Sequence, residues 1–372
     1  MSFFKGTSAE PREYQERLCA KTLSMLDGTW SGRDGNVLPP AKSVLIEAPT
    51  GSGKTVVALA IGQALARRGL SVGFVAMRRN LLKQANEMRE RFGFRIPDMV
   101  LTSMFSKAPS IVDVLIVDES QHDATASMAH IHATVRPKMV IGLSATPYRS
   151  DRAQLAFERT VRDVGIHTLI QEGWLSPYDH YTIPKYSPES IATLFHEDRD
   201  RWGKSVIFFL TKAECDRASR LLKDVAGVDN EVVWAESDRE AQIEAFADGR
   251  VQVLVSMAIL AEGFDMEDMK TVFVRPSSKL PAVQMGGRVL RRHPGIAAKQ
   301  IVQCQDTRHP FVKTARPRQS FVQTEGEFRT LEKNERIDEI ARQYAGKVVR
   351  TETSLPNFIL KGRRRKFRNS AQ

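Results

Sequence analysis

Short apolar runs alternate with amphipathic stretches along the chain. Residues 44–47 (Val-Leu-Ile-Glu) form one such run, and residues 56–66 read as a helix that ends near Gly69. A helix over residues 9–26 precedes them, with Leu18, Thr22, Leu23 and Leu26 at helical spacing, and a loop rich in Gly, Pro, Asp and Asn fills residues 30–40. Strands are expected at 71–76, 99–102, 112–117 and 138–143, with a helical segment over 77–92. The run 112–117 is almost wholly apolar, as a strand covered on both faces must be. Gly173, Pro177, Pro184 and Pro188 then interrupt the pattern, which predicts an interdomain linker over 173–188. A second alternation follows, with strands at 206–210, 231–234, 251–255, 271–274 and 300–303 and helices at 212–225, 239–247 and 280–290.

Alternating strands and helices predict an α/β chain with two tandem doubly wound parallel-sheet domains, residues 1–175 and 176–305. A C-terminal extension over 306–372 is expected to hold a charged helix at 325–344 and a basic tail at 361–368. The chain has 372 residues, which is long for one core. No apolar run reaches the length of a membrane span, and the first ten residues lack the apolar stretch of a secretory signal. Cys19, Cys215 and Cys304 are far apart, so neither a zinc site nor a disulfide framework is indicated, and a cytoplasmic location is expected. A net charge of +11 favours a polyanionic partner.

Candidate chemistry sits at strand ends. Ala48-Pro49-Thr50-Gly51-Ser52-Gly53-Lys54-Thr55 follows one strand and opens a helix, the context in which backbone N–H groups converge on phosphate. Lys54 is expected to reach the β- and γ-phosphates of ATP, and the Thr55 hydroxyl to ligate Mg²⁺. Asp118 and Glu119 end the apolar strand 112–117; Asp118 suits Mg²⁺ and Glu119 the proton of an attacking water. Gln284, Arg288 and Arg291 lie at helical spacings of four and three, which predicts one shared face and a pair of arginines for a triphosphate. Gly263 and Asp265 follow another strand, where the glycine permits close approach to a ligand. Trp174, Trp202 and Trp234 are expected to be packing or linker residues and not base-stacking platforms.

Together these residues resemble the superfamily 2 helicases, in the DEAD/DEAH-like branch that holds RadD, the bacterial XPB-type proteins and the type III restriction motors. The resemblance covers about residues 9–305 and implies two RecA-like domains with ATP between them. It implies that Tyr14-Gln15 contact adenine, that Thr50–Thr55 bind phosphate, and that Gly263 and Asp265 belong to a nucleotide-contacting motif. Arg79, Gln84 and Thr102 are similar to strand-contacting positions. Gln121, His122, Ser144 and Thr146 are similar to positions that couple hydrolysis to domain movement. Ala48 stands where the family has a glycine, and Gln121 where it usually has histidine. The function implied is ATP-dependent translocation on nucleic acid, DNA before RNA, with strand separation. A duplex translocase and a binding adaptor with an inert ATP site are the other readings, and a protein partner for loading or strand separation is compatible with each.

Overall fold

The computed structural model describes residues 2–32, 35–122, 125–145, 154–257 and 266–330, with His122 described by its backbone alone. The first half builds a six-stranded parallel sheet. In chain order it holds α1 (Glu13–Leu26), β1 (Ser43–Glu47), α2 (Lys54–Ala66), β2 (Val72–Ala76), α3 (Arg79–Phe92), β3 (Val100–Ser103), β4 (Val114–Val117), α4 (Ala126–Val135), β5 (Met139–Ser144), β6 (Arg159–Arg162) and α5 (Ile166–Gln171). The strand order is β3-β2-β4-β5-β1-β6. Parallel pairing needs crossovers, and the helices supply them. All residues of β2 and β4 are buried, which explains their unbroken apolar sequence. The helix α2 is apolar on most of its circumference and is correspondingly buried from Val57 to Gln63. Asp163, just past β6, accepts from Arg17 Nη2 at 2.7 Å and Lys21 Nζ at 2.5 Å, which pins α1 to that end of the sheet.

The second half holds β7 (Tyr178–Ile183), α6 (Pro188–Glu197), α7 (Arg199–Trp202), β8 (Ser205–Phe208), α8 (Lys212–Asp224), β9 (Asn230–Val233), α9 (Arg239–Ala247), β10 (Val253–Ser256), β11 (Thr271–Val274), α10 (Lys279–Arg288), β12 (Lys299–Cys304), β13 (Gln319–Thr324) and β14 (Glu327–Thr330). The sheet order is β14-β13-β7-β12-β11-β8-β10-β9, parallel except for the β13–β14 hairpin.

Two expectations need correction. Much of the expected linker, residues 178–183, is an interior strand of the second sheet. Its sequence, Tyr-Asp-His-Tyr-Thr-Ile, hides this because its polar groups are satisfied from far along the chain. Asp179 accepts both Nε and Nη2 of Arg318, at 2.9 and 2.6 Å, and the Tyr178 hydroxyl donates to the Ala315 carbonyl at 2.5 Å. The second correction concerns the expected helix from 325. Glu325 (φ +54°) and Gly326 (φ +84°) form a two-residue hairpin turn with both residues left-handed, and β14 follows. Phe321 and Phe328 of that hairpin pack on Tyr181, one stacked and one edge-on. The second sheet therefore continues through Thr330, inside the stretch expected as an extension. The remainder of the expected helix and the basic tail lie outside the described residues.

His180 is buried in β7. Gln303 Oε1 accepts from the Phe311 backbone N–H at 2.6 Å and lies 3.0 Å from His180 Nε2. An acceptor so placed requires the proton on Nε2, which leaves Nδ1 unprotonated and facing Thr182 Oγ1 at 3.4 Å. Burial lowers the pKa of this imidazole, and the Gln303 contact only partly opposes it. A base whose folded pKa is depressed binds fewer protons in the folded state, so its stabilisation is present above about pH 6.5 and is lost as pH falls. The urea midpoint is therefore expected to drop between pH 7.5 and 5.5, and that drop should shrink in His180→Gln. An equal drop in both proteins would refute the assignment.

Candidate active site at the ends of three strands

The phosphate-loop sequence follows β1. Gly51 (φ +80°) and Gly53 (φ +76°) are both left-handed, a conformation that costs an L-residue roughly 1–2 kcal/mol. Space is also short. A Cβ on Gly51 would lie 2.8 Å from Leu175 Cδ2, and one on Gly53 would lie 2.7 Å from Gln15 Nε2. Ala48 keeps an ordinary negative φ, donates its N–H to the Ser144 carbonyl at 3.0 Å and is buried. This position therefore makes no demand for glycine. Gly53 is the N-cap of α2, so the first N–H groups of that helix face the loop.

The loop is gripped from beneath by α1. The Tyr14 hydroxyl donates to the Ser52 carbonyl at 2.6 Å, and Gln15 Nε2 donates to the same oxygen at 3.1 Å. Gln15 Oε1 accepts the Arg12 backbone N–H at 3.0 Å. Burial raises the Tyr14 pKa, which keeps the phenol a donor. Ser52 Oγ is buried without a protein partner. Lys54 Nζ donates to the carbonyls of Ala48 and Pro49, at 3.2 and 3.4 Å.

Asp118 and Glu119 end β4. Glu119 sits at φ +49°, an outlier for a non-glycine residue, and its N–H donates to Asp118 Oδ1 at 3.0 Å. Gln121 Nε2 donates to Glu119 Oε2 at 2.8 Å, and the buried Ser144 hydroxyl donates to Gln121 Oε1 at 2.9 Å. The expected coupling residues Gln121 and Ser144 thus join Glu119 in one hydrogen-bonded chain between β4 and β5. The His122 side chain and Thr146 lie outside the described residues. Burial raises the Asp118 pKa, with Glu119 adding to the rise and Lys54 opposing it. Burial lowers the Lys54 pKa, and Glu119 and Asp118 hold it up. The Asp118 carboxylate and Thr55 hydroxyl form an all-oxygen donor set, the kind that suits Mg²⁺ and not a thiophilic metal.

A cleft of about 550 Å³ collects these groups. Its ionic and polar lining includes Thr50, Gly51, Gly53, Lys54, Thr55, Asp118 and Glu119 from the first sheet and Arg288 and Arg291 from beyond β11. Arg12 and Gln15 line it as well, as do Leu81, Gln84, Met88 and Phe92 of α3. The shared helical face expected for Gln284, Arg288 and Arg291 is only partly realised. The helix α10 ends at Arg288, Arg291 lies in a bend beyond it, and Gln284 is not in the cleft lining.

Sequence reasoning passed over Gly286 and Gly287. A Cβ on Gly286 would lie 2.4 Å from the Phe311 ring, and one on Gly287 would touch Thr50 Cβ at 3.7 Å. Two adjacent glycines inside a helix, each costing about 1 kcal/mol against alanine, were the available signal of a close approach.

The three expected strand contacts separate. Arg79 is exposed in the first turn of α3, whereas Gln84 lines the cleft. Five residues turn a helix through about 500°, so the two point some 140° apart. Thr102 is largely buried on β3, whose alternation turns Leu101 outward beside it. Gly263 and Asp265 lie outside the described residues. Trp202 is buried, Trp234 lies under Lys212 Nζ at 4.7 Å, and Trp174 is stacked by Arg12.

Comparison with known proteins follows the same division into two sheets. Residues 8–100 match the family model of the type III restriction enzyme res subunit, and residues 187–293 match the helicase conserved C-terminal domain. A 51.5 kDa protein of Lactococcus phage (isolate 7-9) is 25% identical over 270 residues, covering 63% of this chain and 60% of its own length. IRC3 of Saccharomyces cerevisiae, whose name carries the words ATP-dependent helicase, is 27% identical over 223 residues, covering 49% of this chain and 32% of its own. The chain therefore spans less than two thirds of these relatives. Among solved structures, S. cerevisiae Dbp5 bound to RNA and ADP BeF3 aligns with a TM-score of 0.53 at 18% identity, over 79% of this chain and 83% of its own. The ATP-dependent type ISP restriction-modification enzyme LlaBIII, bound to DNA, aligns with a TM-score of 0.52 at 14% identity, over 86% of this chain and 28% of its own. At such identities the likeness is one of fold, two parallel-sheet domains of the RecA-like kind. With both family models falling in order on the two sheets that carry the motifs, the chain belongs to the superfamily 2 helicases, in the branch that holds the type III restriction motors.

Proposed function

We propose that this chain is an ATP-driven nucleic-acid motor that hydrolyses ATP between its two sheets to translocate on DNA and separate strands. The observation that carries the reading is one cleft lined by Lys54, Asp118 and Glu119 from the first sheet and by Arg288 and Arg291 from the second. Lys54 and the N–H groups of the phosphate loop bind the phosphates. Thr55 and Asp118 present the oxygens for Mg²⁺, which when bound supplies charge neutralisation at the phosphate oxygens. Glu119, oriented by Gln121, accepts the proton of the attacking water. Arg288 and Arg291 stabilise charge on the transferring phosphoryl group. Because these groups come from both sheets, ATP favours closure and hydrolysis releases it. The chain from Glu119 through Gln121 to Ser144 carries that change toward the strand ends.

DNA as the track is supported by the type III restriction match, and a polyanion by the charge. Arg79 adds a local reason. A cation in the first turn of α3, where no acidic residue stands, opposes the helix dipole unless a phosphate lies nearby.

Turnover is expected to rise with single-stranded or forked DNA. Glu119→Gln should lower it by about 10²–10⁴ while ATP binding persists. Arg288→Ala should cost on the order of 10³ or more. ATPase and unwinding assays on single-stranded DNA, blunt and forked duplexes and RNA check this. Stimulation by RNA alone would reassign the track, stimulation by duplex without unwinding would make the chain a translocase, and turnover indifferent to every polymer would end the motor reading.

A further inference from the structure

Between the sheets the chain passes through Gly173-Trp174-Leu175-Ser176, and each residue is tied to a different part of the site. The Gly173 carbonyl accepts Arg292 Nη1 at 2.7 Å, and the Ser176 N–H donates to the Leu290 carbonyl at 2.7 Å. These two bonds flank Arg291 in sequence. Leu175 is buried against Gly51 of the phosphate loop. Trp174 is 41% exposed, yet the Arg12 guanidinium lies over its ring, 4.6 Å from the centroid.

Arg12 also donates Nη1 to the Tyr14 hydroxyl at 2.9 Å, and Tyr14 holds the Ser52 carbonyl. Arg12 lines the cleft. Its guanidinium is planar, and a guanidinium held by an aromatic ring on one face and a phenol at its edge is a preformed surface for another flat group. Arginine planes of this kind stack on nucleobases.

We propose that Trp174 is a positioning residue for the nucleobase end of ATP. Its ring fixes the Arg12 plane, and base stacking on Arg12 in turn fastens the 173–176 segment to the first sheet. The inference rests on the ATP reading above and adds a residue outside the expected motifs. It also joins base occupancy to the arginine arm, because Gly173 and Ser176 of the same segment hold Arg292 and Leu290.

The test is calorimetric titration of the full chain with ATP and with inorganic tripolyphosphate, which has no base, in the absence of nucleic acid. Trp174→Ala is expected to weaken ATP about 3- to 30-fold, the range a cation–π contact supports, and to leave tripolyphosphate unchanged. Trp174→Phe should restore most of the loss. Adding Trp174→Ala to Arg12→Ala should weaken ATP no further, since Trp174 acts through Arg12. Unchanged ATP affinity in Trp174→Ala, equal losses for both compounds, or additive losses in the double variant would overturn the inference and leave the ATP reading standing. A parent chain that binds neither compound would overturn both.

Discussion

Arg288 reaches the cleft from a helix whose seat is set by the missing side chain at Gly286, two residues before it. Gly286 lets α10 settle onto the Phe311 ring, and the same turn then lies within van der Waals reach of Thr50 of the phosphate loop. Any Cβ at Gly286 would meet the aromatic ring at 2.4 Å and push the helix out of its seat. Phe311 is itself held by its N–H on Gln303 and by an edge-on contact with Tyr178. The position of an arginine at the first sheet thus depends on packing deep in the second. Helix propensity of roughly 1 kcal/mol is given up at Gly286 in exchange for that approach.

The cleft also stores unfavourable electrostatics. Burial pushes Asp118 toward its neutral form and Lys54 toward its own, so each is charged at the expense of the other's company. Glu119 adds a second carboxylate and a left-handed backbone. None of this serves the stability of the folded chain. In the proposed function it becomes useful when phosphate and a divalent ion share the space, because the charges are then already desolvated and aimed.

Legibility in the sequence followed locality. The strands β1, β2 and β4 announced themselves because a parallel strand covered on both faces is apolar throughout, and the residues after them were correctly picked out as lying at strand ends. The strand β7 did not, because Asp179 and His180 find Arg318 and Gln303 more than a hundred residues later, and a polar strand satisfied at that distance looks like a loop. The hairpin at Glu325–Gly326 was masked by a charged neighbourhood of helical composition, although the glycine marked the turn. Gln84 was grouped with Arg79 by resemblance to one strand-contacting motif, where helical geometry turns the two apart. Trp174 was read as a packing or linker residue; its stacking on Arg12 depends on how the chain leaves the first sheet, which no local pattern encodes.

The insertion of β7 between β12 and β13 bears on how the chain is made. The first sheet has every strand once Arg162 has emerged from the ribosome. The strand β7 emerges next, but its pairing partners on either side begin only at Lys299 and Gln319. At about 5–20 residues per second, β7 waits on the order of 6–24 s for the nearer of them. During that interval its aromatic residues and unpaired backbone are open to other partners, beside a domain that is already complete. Synthesis rate and chaperone access over residues 178–304 therefore bear on whether β7 reaches its place between its partners.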